Sequence, residues 1–126
     1  MKYTIWGIAL FFVVTFGAGT AFGECIEGNC RNGKGTFVYA FGSKYMGTFK
    51  DGERSGKGTL ISADGAKYVG EFKDNKLNGH GILVQPNGVK YEGHFKDNKI
   101  HGKGTLTSPN GEKLVGRFKD GEFVGK

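Results

Sequence analysis

Lysine is the residue type whose spacing most clearly suggests chemistry in this 126-residue chain. Pairs of lysines six positions apart recur every 23 residues, and in a strand both members of a pair share one face. Such a face could bind acidic lipid headgroups or another polyanion. The alternative is a solvated face whose charges keep a sheet soluble and protect its edges. The candidate anion-binding residues are Lys44, Lys50, Lys67, Lys73, Lys90, Lys96, Lys113, Arg117 and Lys119.

Two cysteines, Cys25 and Cys30, form the other pair of residues that could take part in chemistry. In a secreted chain, two cysteines that flank a turn indicate a disulfide. The alternatives are a pair of free thiols or a zinc site, but zinc would need two more ligands and no histidine lies near in the sequence. We expect a disulfide that caps the first, incomplete structural unit.

The acidic and histidine residues do not form a recognisable catalytic set. His80, His94 and His101 occupy non-equivalent positions, and no serine–histidine–aspartate or metal motif surrounds them. The segment Gly28–Lys34 has the spacing of a phosphate loop, but Gly35 follows where serine or threonine is required. We therefore expect no enzymatic activity, no cofactor and no metal. Four aspartates share one turn position, which makes them turn formers: Asp51, Asp74, Asp97 and Asp120.

The elements that position these residues belong to a strict internal repeat. The chain has 24 glycines, several-fold the average usage of ~7%, but only two prolines. The motif Tyr-x-Gly-x-Phe-Lys-Asp recurs at a period of 23, with leucine replacing the tyrosine in the last copy, and Gly-x-Gly pairs recur at the same period. The expected repeats are 45–67, 68–90, 91–113 and a partial 114–126, preceded by a half-repeat at 24–44.

Within each repeat the sequence predicts a β-hairpin. In the segment 67–73, Tyr68, Gly70 and Phe72 alternate with charged or exposed positions, as in a strand. Asp-Gly and Asn-Gly dipeptides mark the turns. Consecutive hairpins predict an all-β, elongated single-layer antiparallel meander in which aromatic rings pack over glycine. The structural rows are Tyr45, Gly47, Phe49, Tyr68, Gly70, Phe72, Tyr91, Gly93, Phe95, Gly116 and Phe118.

The two ends of the array are expected to be half-units. The strand Leu114–Phe118 is predicted to lack a hairpin partner, while the first half-unit offers a strand at Gly35–Tyr39. Pairing of these two strands between copies would give weak end-to-end self-association. The alternative is an edge that is simply protected by Arg117 and Lys119.

Residues 1–23 have the pattern of a secretory signal peptide. Lys2 precedes an apolar run from Ile5 to Phe16, and small residues lead to Gly23, so we expect cleavage before Glu24. The alternative is an uncleaved helical membrane anchor. The expected location is secreted, periplasmic or in the cell envelope, and membrane-anchored if the segment is retained.

The repeated Tyr-x-Gly-x-Phe-Lys-x-Gly/Asn motif, followed by Gly-x-Gly, resembles the MORN (membrane occupation and recognition nexus) repeat over about residues 33–126. The resemblance implies a sheet of stacked hairpins that serves as a scaffold or membrane-associated module. We therefore expect a non-enzymatic interaction protein whose partner is another protein. A peripheral module that binds anionic lipid is the first alternative. A small enzyme or enzyme inhibitor is the second, which no residue favours. Nucleic acid is not an expected partner.

Overall fold

The computed structural model describes residues 23–126, which form one ten-stranded sheet whose strands follow chain order. All neighbouring strands are antiparallel, which confirms the predicted all-β meander. The helix predicted within 1–23 lies outside the described residues, apart from Gly23. None of the described residues belongs to a helix that could cross a membrane. The strands are β1 (Gly23–Gly28), β2 (Gly33–Tyr39), β3 (Lys44–Lys50), β4 (Glu53–Ile61), β5 (Lys67–Lys73), β6 (Lys76–Val84), β7 (Lys90–Lys96), β8 (Lys99–Thr107), β9 (Lys113–Lys119) and β10 (Glu122–Gly125).

Two-residue turns close the hairpins that begin with β3, β5, β7 and β9. In the turn after β5, Asp74 and Asn75 both have positive φ, at 51° and 69°. Two left-handed residues in succession define a type I′ turn, whose twist suits a tight hairpin. Each turn also contacts the preceding repeat, since the Asn75 N–H donates to the Arg54 carbonyl at 3.1 Å. The turn residues therefore stack successive repeats as well as reverse the chain.

Tyrosine and phenylalanine rings form a continuous row on one face of the sheet. The Tyr68 ring is fully buried and meets the Phe72 and Phe95 rings edge-on, at centroid distances of 5.1 and 5.0 Å. A methyl group placed on Gly81 would lie 2.4 Å from Tyr68 ring atoms, so the ring lies against bare backbone of β6. The Tyr68 hydroxyl donates to the Glu71 carbonyl at 2.8 Å. Each tyrosine is therefore enclosed by its own repeat and the next.

One buried charge interrupts this row and was not anticipated from the sequence. Arg54 is buried at the position that Leu77 and Ile100 occupy in later repeats. Its guanidinium donates to the Tyr39 hydroxyl at 2.7 Å and to the Asn75 carbonyl at 2.6 Å. Because Tyr39 is not repeated at equivalent positions, this contact is specific to the first two repeats.

The ends of the sheet differ from the prediction. The strand at Leu114–Phe118 is not an edge, because the short β10 pairs with it and places Phe123 opposite Phe118. The first half-unit is also covered, since β1 pairs with β2. Pairing of Leu114–Phe118 with Gly35–Tyr39 of a second copy and the alternative of a free edge there protected by Arg117 and Lys119 are both wrong, because both strands already have two neighbours. Four residues after a two-residue turn are enough to form a strand, which the prediction overlooked.

The predicted disulfide is confirmed, and it joins Cys25 of β1 to Cys30 with Cα atoms 5.9 Å apart. Cys30 also packs against the hydrophobic cluster. Changing both residues to serine should lower the free energy of unfolding by about 2 kcal/mol, because the closed loop restricts the unfolded chain. Urea titrations of the wild type and the variant, with and without reductant, measure this loss. Reductant should weaken only the wild type, and equal stability of all four samples would contradict the prediction.

Candidate functional site

The face opposite the aromatic rings carries most of the charged side chains, and we call it the groove face. On β5, Tyr68 and Phe72 are buried while Lys67 and Lys73 are exposed, as strand alternation requires. The nine residues predicted as an anion-binding face all lie here. They lie along both ends of the strands, which we call the two rims, and in a central column between the rims. The structure therefore places them on one surface but does not cluster them in one site.

The first rim consists of the lysines at the starts of β3, β5, β7 and β9. Ile61 and Val84 are the register partners of Lys67, and Thr107 lies between Lys90 and Lys113. Val84 is 38% exposed, so this rim mixes charge with accessible apolar surface. The rim is formed by Lys44, Lys67, Lys90 and Lys113.

The second rim lies at the other ends of the same strands, about 20 Å away at ~3.4 Å per residue. Lys73 faces Lys76 across its turn, and Lys96 faces Lys99. The sequence prediction missed Lys76 and Lys99 because it began the second strand of the hairpin at Gly79. A bulge there interrupts the alternation that revealed the other strands. The rim is formed by Lys50, Glu53, Lys73, Lys76, Lys96, Lys99, Lys119 and Glu122.

A central column runs between the rims, and the sequence prediction identified only Arg117 as a functional member. Its members are the middle residues of the Gly-x-Gly motifs and the residues directly opposite them. The period of 23 and the strand alternation could have placed them, but the motif was interpreted only through its glycines. The pairs are Lys34 with Thr48, Lys57 with Glu71, His80 with His94, and Lys103 with Arg117.

Cavities that open broadly to solvent lie along the central column. The first has a volume of about 530 Å³ and includes Met46, Lys57 and Val69 in its lining. The second, of about 680 Å³, includes Lys103 and Arg117. Both fall within the range of volumes that ligand sites occupy. The groove face can therefore accept chemical groups that project into it as well as a surface laid across it.

The histidines are arranged differently from what the sequence suggested. His80 and His94 are not isolated, because they face each other on β6 and β7 with ring centroids 5.4 Å apart. His101 lies elsewhere, with its Nδ1 3.8 Å from an Asp120 carboxylate oxygen. Among residues 23–126, no group of three or more histidine, cysteine or acidic side chains could hold a metal ion.

Comparison with protein families matches the MORN repeat to four segments, residues 29–44, 45–67, 68–90 and 91–113. Comparison with curated proteins finds none that matches the chain. MORN repeats typically mediate protein or membrane interactions, and the family is generally non-enzymatic. The matched segments cover most of the chain; the first contains β2, and each of the other three corresponds to one hairpin of the described sheet. The chain therefore belongs to the MORN repeat family.

Proposed function

We propose that this chain is a non-enzymatic interaction scaffold of the secreted space or cell envelope, which binds an acidic segment of another protein along its groove face. The observation that carries the proposal is the alignment of two cationic rims and two cavities on a single face. Carboxylates of an extended partner would meet the rims, while its apolar side chains would contact the exposed surface between them. Charge complementarity of this kind gives both specificity and faster association.

The opposite face is a poor contact surface for such a partner. The rings of Tyr45, Tyr68 and Tyr91 are fully buried, and those of Phe72 and Phe95 are at most 4% exposed. Because the rings cover one another, little apolar area remains there for a partner to bury. By contrast, Val69 on the groove face is 43% exposed and Val115 is 54% exposed. This contrast supports the groove face, rather than the aromatic face, as the contact surface.

An anionic membrane surface is the second candidate partner. Its support is the row of exposed rim lysines, since each lysine near an acidic membrane contributes about 1 kcal/mol. The rims could reach headgroups only if the sheet lies with its groove face on the bilayer. In that orientation, lipid headgroups would have to project into the cavities between the rims.

The test compares the two partners with one set of variants. The probes are a synthetic peptide in which glutamate alternates with leucine, and vesicles with anionic or neutral lipids. Changing Lys67, Lys73, Lys90 and Lys96 together to glutamine should remove peptide binding, because four rim charges are lost. The fold should persist, since these side chains are exposed. Fluorescence anisotropy measures peptide binding, co-sedimentation measures vesicle binding, and circular dichroism checks the fold.

The salt dependence and the control peptide make the result decisive. Peptide binding should weaken steeply between low and high salt, because screening shortens the reach of surface charges to about 8 Å at physiological ionic strength. A peptide with lysine in place of glutamate should not bind. Binding to anionic vesicles without binding to the acidic peptide would favour the membrane candidate. If neither probe binds at low salt, the lysines serve solubility and edge protection, and the proposed function is wrong.

A further inference from the structure

The facing histidines of the central column lie at the junction between two successive repeats. His80 and His94 are directly opposite each other on β6 and β7, and both side chains are exposed. His80 belongs to the repeat 68–90 and His94 to the repeat 91–113. The equivalent junctions elsewhere in the described sheet, residues 23–126, pair other residue types at these positions. The histidine pair therefore marks one junction of the array.

The separation of the two imidazole rings matches the separation that a shared metal ion requires. Zinc bonds to a histidine nitrogen at about 2.0–2.1 Å, so a tetrahedral ion places the centroids of two ligating imidazoles about 5 Å apart. The centroids of His80 and His94 are 5.4 Å apart, with the ring planes at 90°. Because both side chains are exposed, rotation about their side-chain bonds can turn one nitrogen of each ring towards the same point.

The ring nitrogens of this pair are not committed to other groups. Among the described residues, neither the His80 nor the His94 imidazole makes a hydrogen bond or an ion pair. His101 differs, because its Nδ1 lies 3.8 Å from an Asp120 carboxylate oxygen and accepts a hydrogen bond from the Asp120 N–H at 3.5 Å. Each ring of the facing pair can therefore offer a nitrogen lone pair, as neutral histidine does when it binds a metal.

Carboxylates flank the histidine pair and favour a cation there. The Glu71 Oε1 atom accepts a hydrogen bond from the His80 backbone N–H at 3.4 Å, which places a carboxylate beside the first histidine. Glu92 lies two residues before His94 on β7, so it projects from the same face, and it lines the 680 Å³ cavity with both histidines. The cationic residues of that cavity come from β8, β9 and the last residue of the chain, on the side of His94 away from His80.

We infer that His80 and His94 together bind one divalent transition-metal ion of the zinc and copper class, with water completing its coordination. Imidazole nitrogen suits these ions, whereas calcium and magnesium prefer oxygen ligands. Two protein ligands are compatible with the finding that no group of three potential metal ligands occurs among residues 23–126. The inference goes beyond the proposed function, because the ion fastens one repeat to the next whichever partner the groove face binds.

The experiment titrates zinc chloride into the full chain, without an affinity tag, and measures binding by isothermal calorimetry. His80→Gln and His94→Gln should each weaken zinc binding by about tenfold or more, because the remaining ring loses the effective concentration that a paired ligand supplies. The matched control is His101→Gln, which removes a histidine that faces no other histidine and should bind zinc as the wild type does. Circular dichroism confirms that each variant retains the sheet.

Two further measurements identify the ligands and the effect of the ion. The chain has three histidines, and zinc should shift the imidazole proton resonances of His80 and His94 together while those of His101 stay unchanged. Zinc should also raise the urea midpoint of the wild type but not that of His80→Gln, because the ion binds the pair only in the folded sheet.

Three results would overturn the inference. Absence of zinc binding would show that the facing rings are a packing contact only. Unchanged binding in both His80→Gln and His94→Gln would place zinc elsewhere. Equal weakening by His101→Gln and His80→Gln would show that the histidines bind zinc separately.

Discussion

Replacing Gly70 with valine should lower the free energy of unfolding by about 3 kcal/mol, the upper part of the usual range for overpacked cores. The first added carbon would lie 2.5 Å from the Gly81 Cα and 2.6 Å from the His80 carbonyl oxygen. Both are backbone atoms, so the neighbouring strand must move to admit the side chain. Gly70 does not have positive φ, so the effect comes from packing and not from backbone strain. Urea denaturation followed by circular dichroism measures the loss.

The matched control is Val69→Gly, one residue away on the groove face. Val69 is 43% exposed, so its removal leaves no cavity in the ring row and costs only strand propensity, about 1 kcal/mol. Valine is the better strand residue, so intrinsic propensity alone would make Gly70→Val stabilising. A melting temperature that rises in Gly70→Val would therefore contradict the packing of rings against bare backbone.

Raising the pH above 10 should destabilise the sheet through its buried tyrosines. Burial raises the pKa of Tyr91 to about 12 and also raises the pKa of Tyr45 and of Tyr68 above that of free tyrosine. The folded state therefore holds these protons more tightly than the unfolded state does. Stability is unaffected below the unfolded pKa of ~10 and falls as the pH rises from there towards the folded pKa. For Tyr91 the loss continues until the pH exceeds its folded pKa of about 12.

Urea denaturation at several pH values between 8 and 12 tests this dependence. Lysines also lose charge in this range, so Tyr91→Phe is needed as the control. That variant lacks the hydrogen bond from the tyrosine hydroxyl to the His94 carbonyl and should be less stable at pH 8. Its stability should nevertheless decline less steeply above pH 10, because one ionisable group is gone. Parallel declines in wild type and variant would show that Tyr91 does not ionise on unfolding.

The sequence by itself determined the meander of hairpins and the division of each strand into two faces. Both follow from local rules that a 23-residue period repeats. Asp-Gly, Asp-Asn and Asn-Gly dipeptides enter left-handed turns, and the alternation of Tyr68, Gly70 and Phe72 with polar residues assigns the faces. The disulfide between Cys25 and Cys30 was also predictable, because its partners are close in the chain.

Only the tertiary structure decided which side chains on the groove face meet. The opposition of His80 to His94, and of Lys103 to Arg117, depends on the register between strands. The register between hairpins, which sets these pairs, is continuous, whereas the register inside the hairpins that begin with β3, β5 and β7 shifts at a bulge, where one residue of the first strand faces three of the second. A single strand's alternation carries no information about such a shift. The burial of Arg54 could not be inferred from the sequence either, because its partner Tyr39 belongs to another repeat and has no equivalent elsewhere. Faces and turns are local properties of the chain, whereas charge pairing is a property of the assembled sheet.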